Sequence, residues 1–135
     1  MTLVEVVIAL AIGTVIFGGV LTGYIQSSKR AEWSAYNLAG YSMSMQHLEM
    51  ARATKWDTQS VSLTDNLVSS NFPVTVEVLD VPVRGFNLAY ATNTVFIKVI
   101  SADPPLKMVR VETVWSFRDG RTFTNSAATY RAPDQ

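Results

Sequence analysis

Cysteine is absent from the 135 residues, so no disulfide staples the fold and no thiol chemistry is possible. That absence does not locate the protein, because an exported chain can simply lack disulfides. Histidine occurs once, at His47 on an apolar helix stripe, where it reads as a packed polar side chain. No Ser-His-Asp or Cys-His arrangement can be built elsewhere, and no His/Cys cluster has transition-metal spacing. Asp57, Asp65, Asp80, Asp103 and Asp119 are scattered without EF-hand spacing. There is no P-loop, so any motor is a separate protein. An excess of either charge is also missing: 11 basic and 11 acidic residues cancel, which argues against an electrostatic nucleic-acid binder. The residues therefore point away from an enzyme, and no catalytic, cofactor or metal site is expected.

Charge is missing over a long stretch near the start. The 23 residues from Val6 to Ser28 carry none, and the only acid or base before Lys29 is Glu5. An apolar run of about 25 residues spans roughly 37 Å as a helix, longer than a bilayer core of about 30 Å. A secretory signal peptide would have a basic flank before a shorter run. Here the basic pair, Lys29 and Arg30, follows the run. The positive-inside rule would place that pair in the cytoplasm, with the polar remainder of the chain. The start is therefore expected to be a processed one, with Met1 left after removal of a basic leader.

A lone carboxylate in an apolar segment needs a partner. Insertion of a carboxylate at a bilayer centre costs at least about 2.5–3.5 kcal/mol, and less near a helix end. The candidates are an amine at residue 1, the helix N-terminus itself, or a neighbouring chain. In the blandest case Glu5 only caps its own helix. The stretch MTLVEVVIAL resembles the mature N-terminus of type IV pilins and type II secretion pseudopilins, with Met in place of the usual Phe. The resemblance covers the first 25 residues; beyond them it is one of architecture. It implies leader cleavage and N-methylation at Met1 by a prepilin peptidase. It also implies pairing of Glu5 with the Met1 amine, and extraction into a helical filament by an assembly platform with a separate ATPase.

Proline is absent before Pro73, so nothing strong stops the helix. Trp33, Tyr36, Gly40, Met43, His47 and Met50 mark one face, and Leu38, Tyr41, Met45 and Leu48 another. One stripe is expected to bury against the chain's own head and the other to face other subunits. Gly13, Gly18, Gly19 and Gly23 interrupt the apolar half, at a propensity cost of about 1 kcal/mol each. In membrane helices such residues permit close packing. Pilin-like filaments often unwind here, so helix is expected to be lost within 13–23 in the assembled state.

After a polar stretch over 57–71 the period changes to two. Strands are expected over Phe72–Val81, Thr94–Ile100, Lys107–Phe117 and Arg121–Tyr130, with a turn at Arg118–Arg121 closing the last hairpin. The fold class is α+β. A long N-terminal helix over 1–56 (1–25 membrane or filament core, 26–56 amphipathic) packs on a head over 57–135 with about four antiparallel strands, the lollipop layout of pilins. The function expected is a structural filament subunit that polymerises with itself and related pilin-like subunits. It would sit as a single-pass protein in a bacterial inner membrane, then in a periplasmic or extracellular filament. A priming minor pilin or minor pseudopilin of a type II secretion system, and a membrane-anchored binding module, are the alternatives.

Overall fold

No proline interrupts the first helix, and α1 runs from Leu3 to Arg52 in the computed structural model, which describes residues 2–59, 62–82 and 88–134. The chain divides into two compact units, Met1–Ser34 and Ala35–Gln135. In the second unit, the rest of α1 lies on antiparallel sheet. A two-stranded ribbon pairs β1 (Trp56–Asp57) with β2 (Thr64–Asp65). A four-stranded sheet has the order β3 (Thr75–Val78), β4 (Tyr90–Ala102), β5 (Pro105–Ser116), β6 (Thr122–Arg131). The class is α+β.

The four expected strands are all present, in simple meander order. Gly120 closes the β5–β6 turn at φ 81°, a conformation that glycine adopts without a Cβ penalty. Period two decides the faces of β5: Val109, Val111, Thr113 and Trp115 are all buried beneath the helix.

The helix stripes needed correction. The buried set is Tyr36, Gly40, Ser44, His47, Leu48 and Ala51, whereas Met50 is exposed. Leu48 of the second stripe is buried together with Tyr36, Gly40 and His47 of the first, and Met45 packs beside it, so neither stripe is the buried face by itself. The reason is geometric. A 3-4 spacing has period 3.5, and a straight helix drifts about 20° per heptad from it. Leu38 and Tyr41 stay exposed.

Two apolar clusters result. Leu48, Ala51, Trp56, Leu67, Val109 and Val111 anchor one. Tyr36, Leu79, Val81, Ala91 and Trp115 anchor the other. A polar cross-strand row, Thr75–Asn93–Thr113–Asn125, crosses the sheet between them. Its buried members satisfy one another. Thr113 Oγ1 donates to Asn93 Oδ1 at 2.8 Å, and Asn93 Nδ2 reaches Thr75 Oγ1 at 3.4 Å. His47 Nε2 and Thr75 Oγ1 both meet Glu77 Oε1, at 3.0 and 2.9 Å. A buried polar group left unpaired costs about 1–3 kcal/mol, so the row pins the helix to one position.

Candidate assembly interface

The first unit is built on a capped, exposed apolar helix. Thr2 and Glu5 form a reciprocal capping box. The Thr2 N–H donates to Glu5 Oε2 at 2.8 Å, and the Glu5 N–H reaches Thr2 Oγ1 at 3.4 Å. Two of the first-turn donors that a helix leaves orphaned are thereby used. Glu5 also places its charge in the first turn, where the helix dipole favours an anion. Met1 lies outside the described residues, and with it the expected Met1–Glu5 pairing. Thr2 as the partner of Glu5 was missed in the sequence reading, although Thr-x-x-Glu ahead of an apolar run is its signature.

From Thr2 to Ser34 every residue is exposed except half-buried Gly13 and Glu32. The exposed set includes Leu3, Ile8, Leu10, Val15, Phe17 and Leu21, each more than half accessible. The helix is long and apolar enough to cross a membrane, with a mean hydropathy of 2.4 over its best 18-residue window. Two of its hydroxyls are satisfied by the helix backbone. Thr14 Oγ1 donates to the Leu10 carbonyl and Thr22 Oγ1 to the Gly18 carbonyl, both at 2.8 Å.

Gly13, Gly18, Gly19 and Gly23 all lie inside α1, helical throughout, with open space where each Cβ would be. Gly13 and Gly18 line one shallow apolar groove with Ala9, Thr14, Phe17 and Leu21. Gly19 and Gly23 are four residues apart and share another face. The structure thus brings Thr2 and Glu5 together and separates the glycines into two sets.

In the second unit, three tertiary contacts went unread in the sequence. Trp115 Nε1 donates to Asn125 Oδ1 at 2.6 Å, and Asn125 Nδ2 donates to Asn37 Oδ1 at 2.8 Å, tying β5, β6 and α1. Arg131 caps the end of α1, donating to the carbonyls of Ala51 and Thr54. Lys107, only 6% exposed, donates to both oxygens of Asp65 at 2.7 and 2.5 Å and to the Leu67 carbonyl at 2.8 Å. Its ammonium also lies 4.7 Å from the Trp56 ring centroid. Each joins residues too far apart in the chain for a spacing pattern to reveal.

Comparison with protein-family models, curated proteins and solved structures finds no match to this chain.

Proposed function

We propose that the chain is a structural subunit of the type IV pilin or type II secretion pseudopilin class, which polymerises through its N-terminal helix. The observation that carries this reading is the exposed apolar surface over 3–25, tipped by one carboxylate, Glu5. Burying a Val, Leu, Ile or Phe side chain is worth about 1.5–3 kcal/mol, so a surface of this extent needs a cover. Lipid supplies it before assembly, and identical helices supply it afterwards. In the dry bundle Glu5 pairs with the amine of residue 1, on its own or a neighbouring subunit, and sets axial register. The prepilin peptidase, the assembly platform and its ATPase belong to the same reading, as do the inner membrane and the periplasmic or cell-surface filament.

Glu5→Gln tests it. Glutamine keeps the capping-box geometry and removes the charge. Membrane retention should be unchanged, while filaments in electron micrographs should be lost or sharply reduced. Undiminished filaments would remove the register role. An intact-mass measurement of the N-terminus, expected to show a methylated Met1, checks the class independently.

The division at Ser34/Ala35 favours one second reading, a binding head on a membrane anchor. A chain lacking residues 1–25 that keeps full function would support the anchor over the filament.

A further inference from the structure

Both edges of the four-stranded sheet are unpaired among the described residues. Among the described residues, no backbone hydrogen bond beyond the β3–β4 and β5–β6 ladders reaches Thr75–Val78 or Thr122–Arg131. Folded chains commonly protect such edges with charge, proline or a bulge. Here β6 carries no charge from Thr122 to Tyr130. The one charge on β3, Glu77, is turned to His47 beneath the helix.

The sheet also repeats across its strands. On its outer face the row Val76–Thr92–Val114–Thr124 alternates valine with threonine. On the face toward α1 the row Thr75–Asn93–Thr113–Asn125 alternates threonine with asparagine. Each row starts on β3 and ends on β6, so each stops where the next member of its alternation would be a β3 residue.

We propose that β6 of one subunit pairs with β3 of the next, so that neighbouring heads share one continuous antiparallel sheet. The occupant of the open edge is a second copy of this chain. Four antiparallel strands are an even number, so a repeated copy presents its β3 antiparallel to β6. One register continues both rows. Val76 of the next copy stands beside Thr124, and Thr75 of the next copy beside Asn125. The contact is heterologous and does not close on itself, which is the geometry that propagates as a filament. Strand twist of about 20–25° between adjacent strands accumulates over the four strands of each copy, so each copy is rotated relative to the last.

This inference rests on the filament reading, and the cysteine-free chain permits a test that separates the two. Val76 and Thr124 lie on the exposed outer face, three strand spacings apart within one chain, roughly 14 Å. A disulfide cannot bridge more than about 7 Å between Cα atoms, so a bond between cysteines placed at these two positions must join two copies. Filaments of Val76→Cys/Thr124→Cys should give a ladder of covalent multimers under mild oxidation. The misregistered pair Val76→Cys/Ala128→Cys should not. Filaments that give no ladder, or equal ladders from both pairs, overturn the shared sheet and leave the filament reading standing. A native membrane preparation that never forms filaments overturns both. Val76→Lys/Thr124→Lys, with an unchanged melting curve, should shorten or abolish the filaments; undiminished ones overturn the shared sheet.

Discussion

Gly40 lies so close to Trp115 that a Cβ added at Gly40 would stand 2.7 Å from the indole Nε1 and 2.7 Å from Asn125 Oδ1. The indole cannot give way. It is 1% exposed, stacks on Phe123 at 4.9 Å and tilts against Tyr36 at 5.7 Å. Ala is the better helix former by about 1 kcal/mol, but overpacking a core costs about 1–3 kcal/mol or more. Gly40→Ala is expected to lose about 1–2 kcal/mol, read as a fall in Tm of the Ala35–Gln135 unit. An unchanged or raised Tm would mean that the indole relocates freely.

The Lys107–Asp65 pair is asymmetric, with the lysine side chain 7% exposed and the carboxylate 45%. Removing either partner therefore has different consequences. Asp65→Ala strands a buried ammonium and should cost about 3–5 kcal/mol. Lys107→Met keeps the aliphatic stem and leaves a carboxylate that water can reach, so about 1–2 kcal/mol is expected. Denaturant titration of both variants checks the order. Equal losses would show that the ammonium reaches water when its partner is gone.

Asp134 closes the C-terminal segment onto the helix end. Its Oδ2 accepts the Trp56 N–H at 2.8 Å and its Oδ1 accepts Arg131 Nη2 at 2.6 Å. The Trp56 backbone hydrogen bond first, and the Arg131 side chain second, hold this carboxyl below the usual aspartate range. A depressed folded-state pKa stabilises the native state above the unfolded value of about 3.9, and the contribution is lost as pH falls through the folded value. Asp134→Asn is therefore expected to lower Tm at pH 6 and to flatten its decline below about pH 4, with the two proteins converging at lower pH. A gap that stays constant with pH would show that the charge contributes nothing.

Gly13, Gly18, Gly19 and Gly23 have room for a Cβ at every position. Replacing all four with Ala adds about 1 kcal/mol of helix propensity each. The Ala35–Gln135 unit should melt as before, because none of the four belongs to it. If the helix must unwind during assembly, filament yield should fall. Full yield from the quadruple variant would place a continuous helix in the filament.

Much of the fold was legible because the signals are local. The uncharged run, the absence of proline before Pro73 and the change to period two at Phe72 each depend on neighbours in the chain. The β5–β6 hairpin was clearest, since Asp119-Gly120 marks its turn and β5 alternates over its full length. The 57–71 stretch was harder. Its β1–β2 pairing is two residues long, and Asp65 in it is tied to Lys107 from β5. Of the candidate interface, Glu5 was legible from its isolation in an apolar segment, whereas Thr2 as its partner was missed although the Thr-x-x-Glu spacing carries it.

Composition and periodicity alone establish that a long apolar helix precedes a small sheet, because both are properties of consecutive residues. Tertiary packing settles which helix face is buried, why glycine stands at Gly40, and that Arg131 caps a helix ending at Arg52. Those outcomes depend on atoms brought together from opposite ends of the chain. No local pattern encodes them, because each is set by the volume and hydrogen-bonding needs of a partner that spacing along the chain does not name.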